Sequence, residues 1–399
     1  MNKELFSRLG DPQAGLSFIH VAGTNGKGST CAMLAEILKC AGYRTGLFTS
    51  PHLERYNERF KVNGEEISDA DFMRLKAVVD DAANGLKTVE FDKLTAMGFL
   101  YFKEQGCDIT VLEVGLGGRL DATNAITDPV VSVIAEIGLE HTEILGDTIE
   151  KIAYEKAGII KEKRPVVCMY QENGALDVFR KQANELGCSM TVTDPSKAVL
   201  HSISFDSQVI SYRDRKDLSL SLLGSYQYKN VMLVLDAVDE LISQGYDIPD
   251  EAVEEGLKNV RWPGRFEVLR RYPLVIIDGA HNPSGAAELA ECIKDYLPEK
   301  KIHFVMGVLA DKNYGAMLDA LAPFAKRFTA VTPESYRALS GEKLREIIET
   351  EYQIPAEAAP TIKDGVLSAA MHQDPDDTVI IFGSLYQVAE VRDIVSNLV

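Results

Sequence analysis

A glycine-rich segment that carries a lysine and two hydroxyls is the clearest candidate for chemistry in this sequence of 399 residues. In chain order its residues are Gly23, Thr24, Asn25, Gly26, Lys27, Gly28, Ser29 and Thr30. Glycines let backbone N–H groups converge on an anion, and the start of a helix adds partial positive charge. Lys27 would place a charge near the terminal phosphates, and Ser29 or Thr30 would offer a hydroxyl to Mg²⁺. We therefore expect this loop to hold the phosphates of ATP.

The spacing of the loop departs from the usual phosphate-loop pattern, because Gly23 lies only three residues before Gly26 and Gly28 separates Lys27 from Ser29. The dinucleotide fingerprint G-x-G-x-x-G fits no better. The simplest alternative is a glycine turn between a strand and a helix, which leaves the lysine and the two hydroxyls unexplained.

Three charged or titratable residues elsewhere have both a functional and a plain structural interpretation. Glu113 ends the apolar run 109–114, where an ionised carboxylate is costly unless it is paired or binds metal. An edge-exposed glutamate would explain that run equally well. His141 also follows a strand pattern, and a lone histidine is more often structural than a ligand. Lys156 lies in the helical pattern 148–156, whose ordinary interpretation is a solvated helix face.

Short apolar runs alternate with helical patterns along the chain, which is typical of a parallel sheet covered by helices. The runs that predict strands are 18–22, 109–114, 130–134, 165–168, 274–277, 302–306 and 378–382. Residues 30–40 have helical spacing, with Gly42 as a stop signal, whereas 201–223 alternate as in antiparallel strands. We predict an α/β protein with two domains. The first has a mainly parallel, P-loop ATPase-like sheet with a small antiparallel addition, and the second is a Rossmann-like α/β domain.

The domain boundary is predicted near the only tryptophan, where proline and glycine follow it. The expected divisions are an ATP-binding domain at 1–259, a linker at 260–266 and a second domain at 267–399. Each predicted strand of the second domain ends in small or polar residues, and ligands of open parallel sheets bind at that edge.

Composition excludes several classes of protein. A net charge of −18 argues against a nucleic-acid-binding protein, since phosphate contacts need a basic face. The six cysteines form no Cys-x-x-Cys pair, which favours free thiols over a disulfide framework or a zinc site. The sequence has neither an apolar run long enough to span a membrane nor a secretory signal, so we expect a cytoplasmic protein with no membrane partner.

Several blocks of the sequence resemble the folylpolyglutamate synthases of the Mur ligase superfamily. The first block is the glycine-rich loop, whose variant spacing is similar to the ATP loop of that family. The remaining blocks, in the family's order, are 49–53 (TSPHL), 112–124 (LEVGLGGRLDATN), 155–159 (EKAGI), 261–267 (RWPGRFE), 278–283 (DGAHNP) and 383–386 (GSLY). The resemblance therefore extends over nearly the whole chain.

The resemblance implies a set of functional residues. For Mg²⁺, with two ions expected, it implies the ligands Ser29, Ser50, Glu113, His141 and Lys156. In this family the matching lysine is carbamylated by CO₂, which turns a cation into a carboxylate-like ligand. For ATP the resemblance adds Asn230, Arg265 and Asp278 to the loop, although Arg265 could be a solvated linker charge and Asp278 a turn former. Residues implied near the substrates are Ser50, His52, His281, Ser384 and Tyr386, and those implied in catalysis are Lys27, Lys156 and His281.

The reaction implied by the resemblance joins L-glutamate to tetrahydrofolate at the expense of ATP, through an acyl phosphate. Some members of the family also attach the first glutamate to dihydropteroate, and we expect the chain to act as a monomer. Two alternatives remain. A Mur ligase that builds cell-wall peptides would not need the folate-type block 112–124. A phosphate-loop ATPase or nucleotide-switch protein would hydrolyse ATP without glutamate and would leave the 278–283 cluster unexplained.

Overall fold

A computed structural model describes residues 2–172, 174–371 and 377–397 of the chain. The chain divides into two compact units. The first comprises Met1–His201, Val209–Ser221 and Gln227–Arg261, and the second comprises Ser202–Gln208, Leu222–Tyr226 and Trp262–Val399. Two short segments that interrupt the first unit in sequence therefore belong to the second unit.

The strands are β1 Phe18–Ala22, β2 Thr45–Phe48, β3 Phe60–Val62, β4 Glu65–Glu66, β5 Ile109–Glu113, β6 Val131–Ile134, β7 Val166–Cys168, β8 Met190–Val192, β9 Ala198–Ile203, β10 Gln208–Tyr212, β11 Arg215–Leu220, β12 Glu267–Arg271, β13 Leu274–Ile277, β14 Ile302–Met306, β15 Ala325–Ala330, β16 Ala356–Ala358 and β17 Thr378–Phe382.

The α-helices are α1 Lys3–Arg8, α2 Lys27–Cys40, α3 Asp69–Ala82, α4 Glu90–Glu104, α5 Thr142–Leu145, α6 Ile149–Ala157, α7 Ala175–Glu185, α8 Gln227–Ser243, α9 Asp250–Asn259, α10 Pro283–Tyr296, α11 Tyr314–Leu321, α12 Gly341–Ile347, α13 Ile362–Met371 and α14 Val388–Ser396. Short 3₁₀ segments include Ala122–Ala125 and Leu385–Gln387. Within the described ranges, no helix combines the length and the hydrophobicity needed to cross a membrane.

The main sheet of the first unit has eight strands in the order β4-β3-β2-β5-β1-β6-β7-β8. Strands β2, β5, β1, β6, β7 and β8 pair in parallel, and β3 and β4 add an antiparallel edge. Strand β1 lies inside the sheet and is buried along its whole length, as its mainly apolar pattern predicts.

A separate three-stranded sheet has the order β11-β10-β9. Its connections, 204–207 and 213–214, are too short for the crossover that parallel strands require, so the strands run antiparallel. This sheet matches the antiparallel addition that the alternating pattern of 201–223 predicts.

The sheet of the second unit has six strands in the order β12-β13-β17-β14-β15-β16. All neighbours pair in parallel except β12 and β13. Its core includes Phe266, Phe304, Phe328 and Phe382, all fully buried, together with Leu223 from one of the two short segments. The predicted α/β class with a mainly parallel first sheet is confirmed.

Candidate active site

The loop between β1 and α2 depends on glycine at two positions. Gly23 and Gly26 have φ angles of +155° and +79°, which side chains rarely adopt. A Cβ atom on Gly23 would lie 2.8 Å from the Cβ of Ala135, and one on Gly26 would overlap Oδ1 of Asn230. Both the backbone conformation and the surrounding space therefore require the glycines.

Residues that follow β6 hold this loop in place. The backbone N–H of Thr24 donates to the carbonyl of Glu136 at 2.6 Å, and the Thr24 hydroxyl bonds to both the carbonyl and the N–H of Gly138. Helix α2 then begins at Lys27, and Gly26 before it supplies no side-chain cap. Uncapped N–H groups at a helix start, with the helix dipole behind them, suit an anion such as phosphate.

Two lysines converge on one carbonyl of the loop. Nζ of Lys27 lies 3.1 Å from the carbonyl oxygens of both Gly23 and Thr24, and Nζ of Lys156 donates to the Gly23 oxygen at 2.6 Å. Lys156 is 133 positions away in sequence, on helix α6. The fold thus brings these two predicted site residues together at the loop.

Lys156 is buried, with 5% of its surface exposed. Burial, assisted by the positive charge of Lys27, lowers the pKa of Lys156 to about 7, while Glu140 and Asp121 act in the opposite direction. A lysine with that pKa is a neutral amine in a large fraction of molecules near neutral pH. Only the neutral amine can add to CO₂, so the environment of Lys156 fits the predicted carbamate.

Glu113 ends β5 beside Val21 of β1 and is 3% exposed. Its Oε2 accepts the backbone N–H of Ser50 at 2.9 Å, which joins two more of the predicted residues. The edge-exposed alternative for Glu113 is wrong. Carboxylate and hydroxyl oxygens are the donors that Mg²⁺ prefers, so Glu113, Ser29 and Ser50 fit the expected metal. Lys156 fits as a carbamate, which supplies oxygen donors, whereas an amine offers only nitrogen and an ammonium would repel the cation.

The start of α2 contacts helix α8. Nε2 of Gln227 donates to the Ser29 hydroxyl at 3.2 Å, and the amide of Asn230 donates to Oε1 of Gln227 at 2.8 Å. The Thr30 hydroxyl is buried and has no hydrogen-bond partner among the described residues. Asn230 therefore lies beside the loop, as predicted, and Gln227 is a neighbour that the sequence did not indicate.

The two histidines predicted in the first unit have different surroundings. Nδ1 of His52 accepts a hydrogen bond from Nε of Arg59 at 2.9 Å, and burial together with Arg59 lowers the pKa of His52. His141 has a φ of +51°, and its side chain is 44% exposed, with Nε2 3.8 Å from Oε1 of Glu140. Across the described ranges, no three His, Cys, Asp or Glu side chains form a metal-binding group. The predicted ligand set includes only two residues of those types, Glu113 and His141.

Asp278 follows strand β13 in the second unit and is 4% exposed. Its Oδ2 accepts the backbone N–H of Phe266 at 2.7 Å and the Tyr226 hydroxyl at 3.1 Å, and its Oδ1 accepts the N–H of Ala280 at 2.8 Å. Burial and the Asp278 charge raise the pKa of Tyr226, so this phenol remains a donor. Nη1 of Arg265 donates to the carbonyl of Gly264 at 3.1 Å.

The other predicted residues of this unit follow the carboxyl ends of β13 and β17. A ring nitrogen of His281, Nδ1, lies 2.8 Å from the carbonyl of Gly279. Ser384 is buried, and its hydroxyl accepts the N–H of Tyr386 at 3.2 Å, whereas Tyr386 is 59% exposed. These two strands are neighbours in the sheet, so their carboxyl ends share one edge.

Comparison with known proteins identifies the class. The Mur ligase middle domain family matches residues 21–238, and the Mur ligase glutamate ligase domain family matches residues 264–385. These matches and the fold together define a Mur-type, ATP-dependent ligase.

Individual relatives narrow the class. The chain is 36% identical to the dihydrofolate synthase/folylpolyglutamate synthase of Bacillus subtilis, over 98% of this chain and 93% of that protein. It is also 36% identical to a probable bifunctional folylpolyglutamate synthase/dihydropteroate synthase of Haloferax volcanii, but it spans only 47% of the length of that protein. The solved structure of Mycobacterium tuberculosis folylpolyglutamate synthase complexed with ADP has a TM-score of 0.90 and 30% identity, over 99% of this chain and 94% of that one. The chain belongs to the folylpolyglutamate synthase family of Mur ligases.

Proposed function

We propose that this chain joins L-glutamate to tetrahydrofolate and releases ADP and phosphate. The observation that carries the proposal is the convergence of Lys27 and Lys156 on the Gly23 carbonyl, within a glycine loop at the start of α2. That arrangement combines a phosphate-binding loop with a buried, near-neutral amine. The names of the relatives in Bacillus subtilis and Haloferax volcanii support the choice of a folate as acceptor.

The reaction has two steps. A carboxylate oxygen of the folate attacks the γ-phosphorus of ATP, the bond to ADP breaks, and an acyl phosphate forms. The amine of glutamate then attacks the acyl carbon, phosphate leaves, and the amine loses a proton to give the amide. The loop and Lys27 hold the phosphates and stabilise the charge that develops during transfer.

The residues proposed to hold two Mg²⁺ ions are Ser29, Ser50, Glu113, His141 and Lys156, the last as a carbamate. The metal would neutralise phosphate charge. In forming the carbamate, the neutral Nζ of Lys156 adds to the carbon of CO₂ and one proton is released. The near-neutral pKa of Lys156 supports this step.

The remaining residues are proposed to serve the substrates. Asn230, Arg265 and Asp278 would contact the nucleotide. Those near the folate or the incoming glutamate would be Ser50, His52, His281, Ser384 and Tyr386. His281, like Lys27 and Lys156, is proposed to act at the reacting groups.

A second activity is also proposed, in which dihydropteroate replaces tetrahydrofolate and accepts the first glutamate. The Bacillus subtilis relative carries both activities in its name, which favours this addition. We further propose that the enzyme is a cytoplasmic monomer with an ATP-binding domain at 1–259, a linker at 260–266 and a glutamate-ligase domain at 267–399. All six cysteines are free thiols, in keeping with a reducing compartment.

The test is an ADP-release assay with ATP, Mg²⁺ and glutamate, offering tetrahydrofolate and dihydropteroate separately. Glutamate-dependent ADP is expected with tetrahydrofolate, and its absence with both acceptors would refute the proposal. Lys27→Met should lower kcat/KM by roughly 10²-fold or more. Lys39→Met is the matched control on the same helix, because Lys39 lies in its last turn and makes a surface ion pair with Glu36 at 3.0 Å.

Carbamylation has its own test, since activity alone cannot identify it. Intact mass under gentle, CO₂-saturated conditions should show an adduct of one CO₂ in the wild type and none in Lys156→Ala. Lys156→Ala should also lose activity. An unmodified wild type, or a fully active Lys156→Ala, would contradict the carbamate.

A further inference from the structure

His20 is a fully buried histidine in the middle of strand β1, three positions before Gly23 of the loop. Its Nε2 lies 2.9 Å from the hydroxyl oxygen of Thr123, which is 103 positions later in the sequence. Thr123 is also fully buried, in the 3₁₀ segment Ala122–Ala125. This bond ties the strand that leads into the loop to the segment that follows Glu113.

The direction of the bond follows from the single proton of the Thr123 hydroxyl. That hydroxyl donates to Oδ1 of Asp121 at 2.6 Å, so it can only accept from His20. The proton of His20 is therefore on Nε2, and Nδ1, which is buried, has no hydrogen-bond partner among the described residues. Burial lowers the pKa of His20 to about 3, so the ring stays neutral. A neutral ring has one N–H donor and one nitrogen without a proton, which matches the surroundings of Nε2 and Nδ1.

Asp121 in turn anchors the loop 115–120. It accepts the backbone N–H of Leu116 and that of Thr123, each at 2.9 Å, and it is 7% exposed. The N–H of Arg119 in this loop donates to the carbonyl of Glu155 at 2.7 Å. The loop is thereby bonded to the last turn of helix α6.

The contact with α6 closes a ring around the candidate site. A Cβ atom on Gly118 would lie 2.9 Å from the Glu155 carbonyl and 3.1 Å from that of Lys156, so the two backbones touch. Lys156 then reaches across to the Gly23 carbonyl at 2.6 Å. The path runs from β1 through His20, the 115–124 loop and α6 back to the end of β1.

We infer that His20 is a positioning residue, which acts through Thr123 and Asp121 to fix the loop that holds Lys156 against the Gly23 carbonyl. The inference rests on the proposed function for its effect on catalysis, but the geometry it describes can be tested without turnover. His20 is fully buried, so its effect on catalysis is indirect. Its contribution is the placement of Lys156 relative to the phosphate loop.

Two matched pairs of variants test the inference. Thr123→Val removes the hydroxyl at nearly constant shape, whereas Thr123→Ser keeps it. His20→Leu removes the ring donor, whereas His20→Gln keeps a donor at a similar distance from the backbone. Hydrogen exchange is measured without nucleotide by mass spectrometry, with peptides covering 114–124 and 149–160 compared with those of the second unit, 262–371.

Thr123→Val and His20→Leu should speed exchange in the 114–124 and 149–160 peptides and leave the 262–371 peptides unchanged. In the glutamate-dependent assay they should lower kcat by about tenfold or more, with the KM for ATP changed less than about twofold. The double variant should be no worse than Thr123→Val alone, because that substitution already removes the bond to His20 along with the bond to Asp121. Thr123→Ser and His20→Gln should keep most of the wild-type protection from exchange and most of the wild-type kcat.

Three results would overturn the inference: unchanged exchange in both peptides, loss of protection spread evenly over the chain, or Thr123→Ser as impaired as Thr123→Val. If one substitution prevents folding, the variant at the other end of the bond gives the same comparison. A wild type without glutamate-dependent ADP release would refute the proposed function alone, since the exchange measurement decides the positioning role independently.

Discussion

The backbone N–H of Phe266 donates to Oδ2 of Asp278 at 2.7 Å, and this bond fixes a non-glycine residue at a φ of +42°. Such a conformation costs on the order of 1–2 kcal/mol and persists only when neighbouring interactions impose it. Asp278 imposes it while also holding Ala280 and Tyr226. The nucleotide contact proposed for Asp278 would thus involve a carboxylate that already organises the backbone around Phe266 and Ala280.

Asp278→Asn should destabilise the protein by about 1–3 kcal/mol, because an amide at either oxygen position would place its N–H₂ against a backbone donor or the Tyr226 hydroxyl. Tyr226→Phe should cost only about 1 kcal/mol, since it removes one bond and leaves the carboxylate otherwise paired. Urea unfolding measures both. Asp319→Asn, which alters an exposed bond from the Tyr352 hydroxyl at 2.8 Å, is the control and should be nearly neutral. Equal effects at Asp278 and Asp319 would contradict the organising role.

Lys156→Met should be stabilising in CO₂-free buffer at pH 6, and the gain should shrink as the pH rises. The folded pKa of Lys156 is about 7, below the usual value for the unfolded chain, so the unfolded state binds more protons between those values. The wild type therefore gains stability as the pH rises from about 7 towards 10, by an amount on the order of 4 kcal/mol. Denaturant unfolding of both proteins across this range gives the difference.

Lys151→Met on the same helix controls for the loss of one positive charge, since Lys151 is exposed and pairs with Asp147 at 2.7 Å. A stability difference between Lys156→Met and the wild type that stays constant from pH 6 to 10 would show that burial does not perturb Lys156.

Gly26→Ala should weaken ATP binding and lower stability by more than its left-handed backbone alone explains. The added methyl would meet Oδ1 of Asn230, so the loop or helix α8 must shift. Gly85→Ala is the matched control, because Gly85 has a φ of +77° but no atom within 4 Å of its Cβ position. The control should lose about 1 kcal/mol of stability, from the backbone strain alone, and retain ATP affinity. Equal losses in the two variants, by thermal unfolding and by nucleotide titration, would argue against the contact with Asn230.

Much of the fold follows from local sequence patterns. The mainly apolar runs 18–22, 274–277, 302–306 and 378–382 predict strands whose observed bounds are the same. Apart from the half-buried Leu274, these strands are buried along their length, which suits mainly hydrophobic runs. Helix α2, by contrast, begins at Lys27, whereas the helical pattern predicts a start at residue 30. The true start is hard to predict because Gly26, the residue before it, has no side chain to form the cap that usually marks a helix start. Strand β2 is not predicted by an apolar run, because its first two residues are Thr45 and Gly46. Both are buried where the strand pairs with β5.

The candidate site likewise has one part that the local sequence predicts and one part that it does not. The loop 23–30 is predictable because adjacent residues build it. No local rule places Lys156 at Gly23 or His20 at Thr123, since these pairs meet only when the sheet and α6 have assembled. An isolated histidine inside an apolar strand was the one available signal for the second pair. Its partner could not be read from spacing.

The short segment Leu222–Tyr226 has a practical consequence for anyone who wishes to dissect this enzyme. Leu223 lies in the core of the second unit, the Gly224 N–H bonds to the Tyr296 hydroxyl at 3.1 Å, and Tyr226 bonds to Asp278. A fragment that begins at Trp262, where the last piece of the second unit starts, would lack these three residues and would expose the surface that they cover. A pair of complementing fragments would therefore need to supply 222–226 together with the part of the chain that begins at Trp262.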